Sequence, residues 1–128
     1  MTAVLGGAQA GEFMGRLTTH ILDTAEGCPA ANVGIRLFLV DGERRLVNST
    51  TSNADGRTDQ PLAEGDAMQT GCYELEFDIG AYFASRGMKT GEPAFLGTVV
   101  IRFSVSSAEH YHVPLLASPW SYSTYRGS

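Results

Sequence analysis

No apolar run in this sequence approaches the roughly 20 residues needed to cross a bilayer, and lysine and arginine are scarce, 9 against 14 acidic residues. The resulting formal net charge of −5 argues against nucleic-acid partners and against binding to anionic membrane surfaces. There are only two cysteines, Cys28 and Cys72. They make no disulfide framework and read as reduced thiols of a cytosolic protein. Neither has a histidine or a basic residue beside it, so neither reads as a nucleophile. There is no nucleophile-elbow serine and no phosphate-binding glycine loop. Helical periodicity is rare.

What the chain does have is alternation. Its 128 residues are 43% hydrophobic, enough for one domain with a real core. Arg16 to Asp23 sets Leu17, Thr19 and Ile21 against Arg16, Thr18, His20 and Leu22. Asn32 to Val40 is a second strand, and Asp41-Gly42 a hairpin signal into a third, about Arg45 to Thr51. Asn53-Ala-Asp-Gly56 turns, with Arg57 directly after it. Residues 61 to 70 read as loop. Cys72 to Ile79 points Tyr73, Leu75, Phe77 and Ile79 inward. One short helix is predicted over Ile79 to Arg86, capped by Asp78 and ended by Gly87. Phe95 to Val105 is a further strand. The ending starts as a strand with His110 and His112 on one face and Tyr111, Val113 and Leu115 on the other. Pro114 then calls for a sheet edge or a bulge. Ser121 to Tyr125 is extended again. Seven or eight one-faced strands and one helix predict an all-β antiparallel sandwich. Residues 1–13, rich in Ala and Gly, make a poor signal peptide. They read as a leader outside the fold, which occupies 14–128.

Three histidines stand out. His110 and His112 share a strand face, and three His can bind zinc, but no carboxylate partner accompanies them. Taken singly, each His is as consistent with a satisfied structural side chain as with a site. An Arg after a tight turn is ordinarily just solvated, and a chain end is ordinarily frayed. The residues by themselves lead to a β-sandwich with a candidate His/Arg/Tyr site, and no further.

Three blocks carry a resemblance: Leu17-Thr-Thr-His-Ile-Leu-Asp-Thr-Ala-Glu-Gly-Cys-Pro-Ala30, Asn53-Ala-Asp-Gly-Arg-Thr-Asp59, and the stretch from His110 that ends Tyr125-Arg-Gly-Ser128. They resemble the transthyretin-related family, and within it the 5-hydroxyisourate hydrolases. The terminal tetrapeptide, with His20, Arg57 and His112, separates these hydrolases from the hormone-carrier branch. The resemblance implies a sandwich of two four-stranded antiparallel sheets with one short helix. It implies a homotetramer, a dimer of dimers with sites at the dimer–dimer interface. It implies hydrolysis of 5-hydroxyisourate to 2-oxo-4-hydroxy-4-carboxy-5-ureidoimidazoline in urate degradation, with no metal or organic cofactor.

The resemblance places His20, Arg57, His112 and Ser123 at the catalytic site, and the tail Tyr125, Arg126, Gly127 and Ser128 closing it on the substrate. Chemistry then suggests roles. One of His20 and His112 activates water, and Arg57 polarises the carbonyl and keeps a nearby His unprotonated. Ser123 orients water or substrate, Tyr125 meets the planar ring, and Arg126 or the Ser128 carboxylate holds the tail. His110 reads as a supporting residue. The competing expectations are a transthyretin-like carrier without catalysis, a three-histidine metal hydrolase, and an inert sandwich. Cytoplasm is the default compartment; the family also appears in periplasm and peroxisomes.

Overall fold

The computed structural model describes residues 15–127. The leader expected over 1–13 and the terminal Ser128 lie outside the described residues.

One layer of the sandwich is a regular four-stranded sheet, in the order β5-β4-β7-β8. It is built from β4 (Gly34–Val40), β5 (Arg44–Thr51), β7 (Gly71–Phe77) and β8 (Val99–Val105). All its pairings are antiparallel. The alternation in sequence is the cause. Ile35 and Leu37 of β4, and Tyr73, Leu75 and Phe77 of β7, are fully buried. Their neighbours on the opposite face carry ion pairs: Arg36 with Glu76 and Asp78, and Arg44 with Glu74 and Glu76. Gly42, at φ +97°, closes the β4–β5 hairpin, as Asp41-Gly42 foretold. A bulge between Leu37 and Phe38 shifts the register of that pair.

The second layer departs from the expected single four-stranded sheet. It is divided into a three-stranded group, β6-β1-β9, and a four-stranded group, β11-β10-β2-β3. The strands are β1 (Arg16–Thr18), β2 (Ile21–Asp23), β3 (Cys28–Pro29), β6 (Ala63–Glu64), β9 (Tyr111–His112), β10 (Leu115–Ala117) and β11 (Tyr122–Thr124). Two of the pairings, β1 with β9 and β2 with β10, are parallel rather than antiparallel.

The division is one break in one ladder. Leu17 faces Tyr111 before it and Ile21 faces Leu115 after it, and the offset of 94 residues is unchanged. The break falls at Thr19-His20 on one strand and Val113-Pro114 on the other. Pro114 is not the missing donor, because the Val113 and Leu115 N–H groups on either side of it both reach this ladder, at the Thr18 and His20 carbonyls. The Val113 carbonyl leaves the ladder, accepting the Thr19 hydroxyl at 2.7 Å. The expected interruption at Pro114 is present, but β10 after it is an interior strand, not an edge.

Three local expectations are corrected. The strand predicted from Phe95 begins only at Val99. Residues 91–94 form a turn closed by the Phe95 N–H on the Thr90 carbonyl, and 95–98 a bend in which the Gly97 carbonyl takes the Gly80 N–H at 2.8 Å. Residues 61 to 70 are not all loop: they contain β6 and a 3-10 turn at Gly65–Ala67. The helix α1 (Ile79–Ser85) forms where expected and ends at Gly87 (φ +75°), but the Asp78 side chain does not cap it. Arg36 takes that carboxylate in a two-pronged ion pair and holds it well below the usual carboxylate range.

The core is one cluster between the layers, with Leu17, Ile21, Tyr111, Val113 and Leu115 meeting the inner face of the regular sheet. Ile79, Tyr82 and Phe83 of α1 close it. A buried hydrogen bond fixes the helix to the second layer. The Tyr82 hydroxyl donates to Asp23 Oδ2 at 2.9 Å, while Asp23 Oδ1 accepts the N–H groups of Ala25 and Glu26. Burial, and then the carboxylate, push the Tyr82 phenol pKa upward, so it stays a donor. No helix of the described residues is long and apolar enough to cross a membrane.

Candidate functional site

The break in the second layer is where the polar chemistry gathers. Along β1, Leu17 faces the core and Arg16 and Thr18 face out, by the two-residue period of a strand. His20 sits in the break, half-buried, its carbonyl accepting the Leu115 N–H at 3.0 Å. His112, at the end of β9, is the register partner of Thr18. Its Nδ1 lies 2.9 Å from the Thr18 hydroxyl.

Arg57 arrives from a distant turn. The Asn53 side-chain oxygen accepts the N–H groups of Asp55 and Arg57, and the Asn53 N–H bonds the Arg57 carbonyl. Gly56 (φ +77°) lies directly on the Ile21 carbonyl, where a Cβ has no room. Its own carbonyl accepts the Ile21 N–H at 2.8 Å. The turn is thereby clamped to the start of β2, next to the break. Arg57 forms no ion pair among the described residues, so its charge is left for the site.

Arg16, Thr18, Arg57, His110 and His112 line one open recess of about 490 Å³. A second recess continues from Arg16, Thr18 and Arg57 along Thr58, Asp59 and Gln60. Partial burial of His112, then the charge of Arg57, then that of His20, hold its pKa below the ordinary imidazole value of 6.5. Near neutral pH His112 is therefore an unprotonated base beside a fixed positive charge. With Nδ1 taken by Thr18, the free ring nitrogen is Nε2.

The chain end forms the other arm of a hairpin. Leu115, Leu116 and Ala117 pair with Thr124, Ser123 and Tyr122, and the same register carries on to a bridge between His112 and Gly127. The Gly127 N–H donates to the His112 carbonyl at 2.7 Å. A Cβ on Gly127 would stand 2.7 Å from Cδ2 of the His112 ring. Arg126 fastens the arm: it pairs with Glu109 at 2.5 Å, bonds the His110 carbonyl, and lies 4.0 Å from the centre of the Tyr111 ring.

Of the residues expected at the site, Arg57 and His112 line the recess, with Gly127 against the His112 ring; His20, in the break, does not line it but is near enough for its charge to act on His112. Ser123 and Tyr125 are not among the residues lining the recess. Ser123 is exposed opposite Leu116, and Tyr125, 60% exposed, lines an apolar groove against Ile101 and Phe103. His110 stands exposed at the rim. The reading of the sequence missed Arg16 and Thr18. The alternation that put them on the face of His20 was the signal for both. Among the described residues the group spaced to share a metal is Asp23, Glu26 and Cys28, and there the Asp23 carboxylate already holds three donors.

The architecture and this recess define a transthyretin-type β-sandwich with an imidazole–guanidinium pocket at a break in one layer. Residues 17–127 match the HIUase/Transthyretin family, and the chain belongs to it. It is 54% identical to a 5-hydroxyisourate hydrolase of Pseudomonas aeruginosa, over 90% of this chain and 93% of that protein. It is 54% identical to one of Ralstonia nicotianae, over 90% of this chain and 100% of that protein. Among solved structures it resembles an (S)-allantoin synthase, at TM-score 0.87 and 44% identity, covering 91% of this chain and 45% of the other. It also resembles sea bream transthyretin in complex with thyroxine, at TM-score 0.79 and 28% identity, covering 88% and 94%.

Proposed function

We propose that this chain is an enzyme that hydrolyses 5-hydroxyisourate to 2-oxo-4-hydroxy-4-carboxy-5-ureidoimidazoline, a step of urate degradation, and that the recess at the ladder break is its active site. The observation that carries the reading is His112, a half-buried imidazole with a depressed pKa facing the charge of Arg57. The likeness to named hydrolases supports the same substrate.

In this reading Nε2 of His112 takes a proton from water, and the hydroxide oxygen bonds to a ring carbonyl carbon. Charge moves to the carbonyl oxygen, where Arg57 donates hydrogen bonds that strengthen as the charge develops. The ring carbon–nitrogen bond then breaks, and the proton held by His112 passes to the departing nitrogen. His20 supplies a second polar group to the ring and helps keep His112 neutral. No step calls for a metal or an organic cofactor.

Ser123, Tyr125, Arg126, Gly127 and Ser128 complete the site in the assembled protein, a homotetramer built as a dimer of dimers. Each recess is wide open in a single chain, and pairing across the dimer–dimer interface covers it. The cytoplasm is the compartment of this reading, and residues 1–13 are a leader outside the domain.

The test is turnover. Freshly generated 5-hydroxyisourate, which also decays unaided, is followed by its ultraviolet absorbance with a small fraction of a molar equivalent of protein. Many turnovers per chain, undiminished by a chelator, support the enzyme. Saturable binding of the compound with no faster decay supports the carrier reading in its place.

A further inference from the structure

We propose that Thr18 is a positioning residue for His112: its hydroxyl fixes the tautomer that carries hydrogen on Nδ1 and leaves Nε2 bare toward the recess. This inference rests on the hydrolase reading for its catalytic consequence, and on geometry alone for the tautomer.

The geometry is over-determined. Thr18 and His112 are register partners on the parallel β1–β9 pair. The Thr18 carbonyl accepts the Val113 N–H at 2.9 Å, and the His112 carbonyl accepts the Gly127 N–H at 2.7 Å. Both backbones are therefore pinned on either side of the 2.9 Å hydroxyl–Nδ1 contact. Threonine is stiff about χ1, so its hydroxyl stays where the ring needs it. On the other side of the ring Gly127 packs against Cδ2, the carbon next to Nε2. The imidazole is held at both ends.

The direction of the hydrogen bond follows from the reaction. A hydroxyl can donate to a bare Nδ1 or accept from Nδ1–H. Once His112 has taken a proton on Nε2, Nδ1 carries hydrogen as well, and only the accepting arrangement survives. If the hydroxyl accepts from the outset, nothing has to reorganise as the proton arrives. A hydroxyl also differs usefully from the carboxylate that often orients a histidine. It adds no negative charge, so it orients the ring while raising its basicity far less than a carboxylate would.

Thr18→Val keeps the shape and the stiff χ1 and removes the hydroxyl; Thr18→Ser keeps the hydroxyl. The readouts are kcat and KM toward 5-hydroxyisourate, and the ¹⁵N chemical shifts of the His112 ring in the substrate-free protein. The expected result has three parts. Wild type shows a protonated Nδ1 and a bare Nε2. Thr18→Val shows mixed tautomers and a kcat lower by about tenfold or more, with KM changed far less. Thr18→Ser restores both. An unchanged tautomer in Thr18→Val overturns the proposal, whether or not the rate falls. So does a wild-type ring with hydrogen on Nε2, or a Thr18→Val protein with wild-type kcat. A wild-type protein that is inactive on 5-hydroxyisourate refutes the hydrolase reading alone, because the ¹⁵N shifts still decide the role of Thr18.

Discussion

Adding a single methyl group at Gly127 is expected to disable the site while leaving the fold intact. In Gly127→Ala the new Cβ stands 2.7 Å from Cδ2 of His112 and 3.2 Å from its Cβ and Cγ. Ordinary contact begins at 3.4 Å, so either the ring or the chain end must retreat by about 0.7 Å at its closest point. The ring cannot move freely, because Nδ1 is tied to Thr18. The chain end cannot move freely either, because its N–H holds the His112 carbonyl.

If the ring gives way, Nε2 shifts by a good part of an ångström, and an error of that size costs about 10- to 10²-fold in kcat/KM; if the chain end gives way, the tail loses its place against the ring instead. The strain of that contact lowers stability, and two features of the position offset part of the loss. The φ of Gly127 lies outside the left-handed region, and alanine narrows the unfolded ensemble by roughly 0.4–1 kcal/mol. The assay pairs steady-state decay of 5-hydroxyisourate with a urea melt. A Gly127→Ala protein of wild-type kcat/KM would refute the claim that this glycine sets the position of His112.

Two further outcomes follow from the same structure. Arg57→Ala should lower kcat/KM by about 10²-fold or more, through loss of oxyanion stabilisation. It should also move the acid limb of the pH–rate profile upward, since removing a positive charge lets the pKa of His112 climb back toward 6.5; an unmoved limb would separate Arg57 from His112. Tyr82→Phe should cost about 1–3 kcal/mol in urea unfolding, because it strips one donor from the Asp23 carboxylate, which is only 1% exposed. A loss no larger than that of an exposed hydroxyl would show that water replaces the phenol.

Much of the regular sheet was legible in the sequence because its signals are local. The Ile35–Leu37–Leu39 and Tyr73–Leu75–Phe77 alternations decide which face is buried without help from elsewhere, and Gly42 and Gly87 supply conformations that neighbouring residue types cannot. The second layer was less legible. The alternation of Arg16 to Asp23 runs unbroken through Thr19-His20, and the gap appears only where the Val113 carbonyl, far away in the chain, takes the Thr19 hydroxyl. β3 and β6 are two residues each, too short for any period. The strand expected at Phe95 yielded to the contact of Gly97 with Gly80, and the Asp78 cap yielded to Arg36, both partners distant in the chain.

The same division holds at the site. Arg16, Thr18 and His20 share a face by parity alone. Nothing near Arg57 in the sequence shows that Gly56 will dock on the Ile21 carbonyl, or that Gly127 will lie on the His112 ring. For those positions the resemblance to a family supplied what spacing could not.

The account depends most on His112 being the base that activates water, and the pH dependence of kcat/KM for wild type and His112→Ala, taken over about pH 5 to 9, tests it most directly. A neutral imidazole is the active form, and its pKa is depressed. Wild-type activity should therefore be full at neutral pH and fall only as pH drops through a midpoint below 6.5. His112→Ala should be slower by about 10²-fold or more and should lack that limb. A His112→Ala protein that keeps the limb and most of the rate, or a wild-type midpoint at or above 6.5, would contradict the account.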